Sequence, residues 1–189
     1  MPGVQRRARQ HGLTLTELLI GLGIISILAA TAIEHLPGII QSARMAGDVN
    51  RFVTALHLAR SEAVKRGTRG VICASADGMT CSEPGNDDWS TGWIVFSDYD
   101  QDGSLTWDAA VNDCVNDDCI IRTRGPLNKT TLDGAGKSSI GFLPNGLVYS
   151  VAPYTLTLTA DNCEETQSRT ITVTRRGHTN VRKQGCPSP

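Results

Sequence analysis

The run DYDQDG at 98–103 sets Asp98, Asp100 and Asp102 at alternate positions and closes on Gly103. Alternating carboxylates ahead of a turn glycine are how a calcium loop begins, because a hard cation collects carboxylate oxygens around a sharp bend. Such a loop also needs a bidentate Glu at its twelfth position, which here is Ala109, with Asp108 the nearest substitute. A solvated turn between strands is the commoner origin of such a run. No other metal set stands out: there is no CxxC, and a single His178 between Cys163 and Cys186 does not make a zinc site. No GxSxG, HExxH or phosphate-binding loop occurs. The chain therefore reads as a non-enzyme without a cofactor.

Six cysteines, Cys73, Cys81, Cys114, Cys119, Cys163 and Cys186, fall as three short-range neighbours after an oily N-terminal run. An even count downstream of an export or anchoring segment points to disulfides in an oxidising compartment. Fifteen pairings are open; the economical set is Cys73–Cys81, Cys114–Cys119 and Cys163–Cys186. Charge is laid out in blocks that a net charge of −1 conceals. Residues 77–118 carry eleven acids and no Lys or Arg, whereas residues 119–189 carry nine bases against four acids. The C-terminal segment gathers Arg175, Arg176, Arg182 and Lys183 beside Arg169 and His178. A basic strip pinned by a Cys163–Cys186 bond would bind phosphates, DNA included, without reading sequence. It has no aromatic residue to stack on bases, and charged side chains on an edge strand also serve to block strand pairing.

The last chemical oddity is Glu17, a lone acid inside the oily run Leu13–Ile33. An unpartnered acid in an apolar medium costs several kcal/mol or takes up a proton, and beside an amine that cost is largely compensated. The run would rise ~31 Å as a helix, about one bilayer core. Arg6, Arg7 and Arg9 precede it, and positive charge stays cytoplasmic, so the rest of the chain is expected across the membrane. A secretory signal cut near Ala30-Thr31-Ala32 would be unusually long and would carry an acid. A plain anchor leaves Glu17 unexplained.

The elements that must hold these residues follow from periodicity. Val49, Phe52, Val53, Leu56, Ala59 and Ala63 recur at helical spacing, and Gly67 follows Lys65 and Arg66 as a stop. The pattern predicts one long helix from Leu13 to about Arg66, oily first and amphipathic later, with Pro37-Gly38 as the place for a kink. Strands are predicted at 70–75, 92–98, 119–123, 139–143, 154–160 and 169–175. In the last two, Tyr154, Leu156, Leu158, Ile171 and Val173 should face inward, with the polar loop 161–168 closing a hairpin. The expected fold is α+β, with a long N-terminal helix on an antiparallel β-sheet domain. Some 130–150 residues beyond the oily run suffice for one core.

HGLTLTELLIGLGIISILAA at 11–30 resembles the class III signal of type IV pilins and pseudopilins. That resemblance implies cleavage by a prepilin peptidase after Gly12, methylation of the new N-terminus at Leu13, and pairing of Glu17 with the terminal ammonium of a neighbouring subunit. Relatives often carry Pro where this chain has Glu34. LHLARSEAVKRG, CASADGMTC and GWIVFSDYDQDG are together similar to FimT/FimU-type minor pilins and to H-type pseudopilins of type II secretion. By that likeness ARSEA ends the helix, two cysteines flank a hairpin, and the GW segment is a strand and turn. The resemblance implies residues 1–12 as leader, 13–36 as membrane and filament-core helix, 37–67 as amphipathic helix and 68–189 as a β-rich periplasmic or extracellular domain. It implies a minor pilin held in the bacterial inner membrane and then assembled with major and minor pilins into a type IV pilus. An H-type pseudopilin, or a DNA-binding minor pilin for uptake, are its alternatives. For the last, the Gly-Arg-x-Arg motif of DNA-capturing relatives is replaced by Gly177-His178-Thr179-Asn180.

Overall fold

Two helices come first, α1 at Leu15–Ile33 and α2 at Leu36–Arg66. This is a computed structural model, and it describes residues 14–33, 36–106, 117–149, 153–163 and 167–187, with the side chains of 30–33, 36 and 37 outside that description. The expected continuous helix is thus seen as two segments, with Glu34 and His35 outside the described residues. Pro37 does not break α2; it is the second residue of it. The first turn tolerates proline because its missing N–H would have no intrahelical partner there. The chain divides into two compact units between Ile40 and Gln41.

The first unit contains α1, which is apolar all round. Leu15, Leu18, Leu19, Ile20, Leu22, Ile24, Ile25, Ile27 and Leu28 are all exposed. Among the described residues no helix is long and apolar enough to cross a membrane. The 19 residues of α1 rise about 28 Å, just under one hydrocarbon core.

The second unit builds its core on α2. Met45, Val49, Phe52, Leu56, Ala59 and Ala63 lie on one helical face and are buried. They meet two four-stranded antiparallel sheets. One has the order β3-β2-β1-β5, from Cys119–Arg124, Trp93–Asp98, Arg69–Ala74 and Ser139–Phe142. The other is β4-β6-β7-β8, from Thr130–Asp133, Tyr154–Ala160, Ser168–Val173 and Thr179–Gln184. Six of these strands match the predicted ones; β4 and β8 do not, being short or polar, and the division into two sheets is invisible in the periodicity. In β6 and β7, Leu156, Leu158, Ile171 and Val173 are buried and the threonines between them are exposed or half-buried, as the alternation predicts. Strands β1 and β2 are buried at every position. Their second face carries Val71, Cys73, Ile94 and Phe96, and Cys81, Leu105 and Ile120 cover it.

The ARSEA segment shows why small residues recur where α2 meets β1. Ala59 and Ala63 are fully buried. A Cβ on Gly70 would collide with the Ala59 carbonyl and lie 3.1 Å from the Ala63 Cβ, so helix and strand approach too closely for any side chain there. Between the two alanines, Arg60 Nε donates to the Gly146 carbonyl at 2.9 Å, and Glu62 accepts from Arg66 Nε at 2.7 Å. Farther up the helix, buried Asp48 accepts from the Thr130 hydroxyl at 3.1 Å, tying α2 to β4. Phe52 meets Trp89 and Trp93 edge-on, with ring centroids 5.4 and 5.2 Å apart, an arrangement favoured by the ring quadrupoles.

Candidate functional site

The first described residues hold the acid that the sequence singles out. Thr14 precedes α1, and its hydroxyl accepts from the Glu17 N–H at 3.3 Å. In return Glu17 Oε2 accepts from the Thr14 N–H and from its hydroxyl, both at 3.5 Å. This reciprocal pattern is a capping box, which satisfies N–H groups that a helix start leaves without partners. A carboxylate in the first turn also suits the positive end of the helix dipole. Glu17 is therefore held locally, on an exposed and mostly aliphatic surface. The capping role of Thr14 goes beyond the sequence expectation, although Thr-x-x-Glu before an apolar run is its signature. Gly12 and Leu13 lie outside the described residues.

Of the cysteines, Cys73 pairs with Cys81 and Cys163 with Cys186. Cys119 is disulfide-bonded; Cys114 lies outside the described residues. The Cys163–Cys186 bond brackets β7 and β8, so the basic segment is pinned as expected. Its charges are not gathered on one surface, however. Arg175 and Arg176 are exposed in the turn after β7, while Arg182 and Lys183 are exposed on β8. Adjacent strand residues point to opposite faces: Arg182 stands opposite Thr170, and Lys183 opposite Arg169.

The acidic run at the end of β2 is arranged differently from the sequence expectation. Asp98 and Asp100 come together with Asp118, each offering a carboxylate oxygen within 4.8 Å of the others. Asp102 is not among the three; its Oδ1 accepts from the Ser104 N–H. Asp108 lies outside the described residues. Asp98 is fully buried, and Arg69 lies opposite it on β1, with Nη1 3.3 Å from Asp98 Oδ2. On its other side β3 pairs Cys119 with Ser97, which brings Asp118, the residue before Cys119, alongside Asp98. The Gly103 N–H donates to Asp98 Oδ2 at 3.0 Å, and Asp118 accepts from the N–H groups of Tyr99 and Thr106 at 2.8 and 2.9 Å. The Tyr149 ring stacks on the Arg69 guanidinium, 4.2 Å from its centroid. Burial pushes the Asp98 carboxyl up to about 6, opposed by Arg69 and reinforced by Asp118. Burial likewise raises Asp118. At the opposite end of β1, Asp77 is exposed and is held well below the usual carboxylate range by N–H groups of Thr80 and Met79.

Residues 48–177 match the family model described as Type II transport protein GspH, and residues 7–33 match the prokaryotic N-terminal methylation motif. The fold is similar to that of the Pseudomonas aeruginosa type IV minor pilin FimU, at 16% identity with a TM-score of 0.55, covering 75% of this chain and 90% of that one. A second crystal form of FimU gives 18% identity and a TM-score of 0.49 over 70% and 88% of the two chains. The minor pseudopilin EpsH from the Type 2 Secretion System of Vibrio cholerae gives 16% identity and a TM-score of 0.46 over 74% and 97%. At such identities the likeness is one of fold. No curated protein matches the chain.

Proposed function

We propose that this chain, which belongs to the GspH family of pilin-like structural subunits and not enzymes, is a minor pilin of a type IV pilus, a reading supported by its likeness in fold to the minor pilin FimU. Prepilin peptidase cuts it after Gly12, and the new N-terminus at Leu13 is methylated. The whole oily run Leu13–Ile33 holds it in the inner membrane until it enters the fibre, where α1 joins the core and the β-rich unit stays outside. The observation that carries this reading is α1 itself. A helix that is aliphatic on every side and exposed along its length needs lipid or other helices around it. Its one charged side chain, Glu17, sits in the first turn, close in sequence to the proposed terminal amine at Leu13. In a fibre the acid exchanges its long contacts to Thr14 for the ammonium of an adjacent subunit, a charge-assisted and stronger bond. A Cβ added at Gly21 or Gly23 would meet nothing within 4 Å, and these glycines leave room for close helix approach.

The test is the N-terminus of the protein extracted from membranes, read by mass spectrometry. Methylated Leu13 is the expected result; an intact leader in a host with the peptidase, or a terminus near Ala32, would overturn the reading. Deleting the chain separates pilus from secretion system: loss of surface fibres supports the pilin, and loss of exoprotein release with normal fibres supports an H-type pseudopilin. DNA capture is a second reading that rests on the exposed Arg175, Arg176, Arg182 and Lys183. Their split between a turn and the two faces of β8 lowers their joint pull on one duplex. Unchanged affinity across salt concentrations when all four become Ala would end it.

A further inference from the structure

The sequence argues against a calcium loop at 98–109 because the twelfth position is Ala109. The fold supplies a different third carboxylate. Strand pairing sets Asp118 beside Asp98, and the turn after β2 brings Asp100 back to both, so three carboxylate oxygens converge within 4.8 Å. Like charges directly opposite on neighbouring strands destabilise a sheet, and here the cross-strand row reads Arg69, Asp98, Asp118. Three carboxylates against one guanidinium leave two uncompensated negative charges.

The buried member of this cluster also carries an orphaned atom. Asp98 is fully buried, and both of its donors, Arg69 and the Gly103 N–H, reach its Oδ2. Its Oδ1 is buried without a hydrogen-bond partner among the described residues. A buried carboxylate oxygen without a donor pays its full desolvation penalty, and Arg69 Nε is buried and unpartnered among them as well. The guanidinium therefore does not turn to serve the free oxygen. The other two carboxylates are already oriented by backbone groups: Asp100 Oδ1 accepts from the Asp102 N–H at 3.1 Å, and Asp118 accepts from Tyr99 and Thr106. Each carboxylate oxygen has a second lone pair, so these bonds hold the ligands in place and leave them able to coordinate.

We propose that Asp98, Asp100 and Asp118 bind one calcium ion at the end of β2. The donors are all hard oxygens, which suit calcium or magnesium and not a softer metal. The irregular set, drawn from a strand end, a turn and a neighbouring strand, suits calcium, whose coordination tolerates uneven geometry; magnesium demands a near-ideal octahedron. A divalent ion cancels the two excess charges and gives Asp98 Oδ1 a partner. It also clamps the turn 99–106 onto the sheet, fixing the cover over Phe96 and Val71.

The experiment is calcium titration of the full chain in detergent after chelation with EDTA, followed by calorimetry and by thermal unfolding. Extracellular calcium modules bind at roughly 10⁻⁴ to 10⁻³ M, and saturation here is expected in that range, with a midpoint raised by about 5 °C. Asp100→Asn changes an exposed ligand and removes one of the excess charges, so it should hold or raise the EDTA midpoint while weakening calcium at least about tenfold. Asp118→Asn should do the same to affinity; if it fails to fold, Asp100→Asn decides alone. Terbium luminescence sensitised by Tyr99 gives an independent readout and should be competed by calcium. No calcium-dependent heat or shift up to ~10 mM, an equal shift in Asp100→Asn, or equal affinity for magnesium would each overturn the proposal.

Discussion

Replacing Gly70 by Ala tests how closely α2 lies on β1. The new Cβ would run into the Ala59 carbonyl, 3.0 Å from its carbon, and 3.1 Å from the Ala63 Cβ. None of these atoms can rotate away, because two belong to helix backbone and the third is itself a Cβ. The helix must retreat by about 1 Å, and a gap of that order forfeits a quarter to a half of the dispersion contact along it. Ala59, Ala63 and Leu56, all buried in that stretch, lose packing together. Overpacking costs ~1–3 kcal/mol and occasionally more; a backbone clash places Gly70→Ala at the top of that range, about 3 kcal/mol. Gly47→Ala is the control. Gly47 is also within α2, with nothing within 4 Å of its Cβ position, and should stabilise by about 0.4–1 kcal/mol through a less flexible unfolded chain. Urea unfolding of both variants, followed by the fluorescence of buried Trp89 and Trp93, measures the difference. Substitutions with the same sign, or a Gly70→Ala cost below about 1 kcal/mol, would refute the close-approach account.

Further outcomes follow from the same contacts. Phe52→Ala should destabilise by about 3–5 kcal/mol and shift the tryptophan emission, since Phe52 lies edge-on to both rings. Changing Cys163 and Cys186 together to Ser opens a bond with a sequence separation of 23 and should cost about 3 kcal/mol in thermal or urea unfolding. Hydrogen exchange should then rise first in β8, an edge strand whose far end that bond secures. Glu17→Ala should leave processing at Leu13 intact but reduce recovery in sheared fibres at least about tenfold, read by immunoblot of fibre and membrane fractions. Thr14→Ala, which removes only the cap, should cost α1 about 1 kcal/mol and spare assembly by comparison.

Patterns that repeat along one dimension are legible in the chain alone. The apolar stripe of α2, the alternation of β6 and β7, and the aliphatic α1 with its single acid are all local, and the structure shows them as read. The Cys73–Cys81 and Cys163–Cys186 bonds agree with the economical pairing, but fifteen pairings stood open in the chain and the fold chose among them. Everything set by strand pairing needed the folded molecule. The split into two sheets depends on which edges meet, and no period in the chain encodes that. Strand β8 stays unread because it is polar at an edge and buries almost nothing. It also sends Arg182 and Lys183 to opposite faces, so a strip seen in sequence becomes two surfaces. The acidic run shows the same limit most sharply. Asp98, Asp100 and Asp102 look equivalent in DYDQDG, yet the register of β3 against β2 brings in Asp118, and the turn directs Asp102 to its own backbone. A carboxylate far along the chain becomes a nearest neighbour because adjacent antiparallel strands lie only about 5 Å apart.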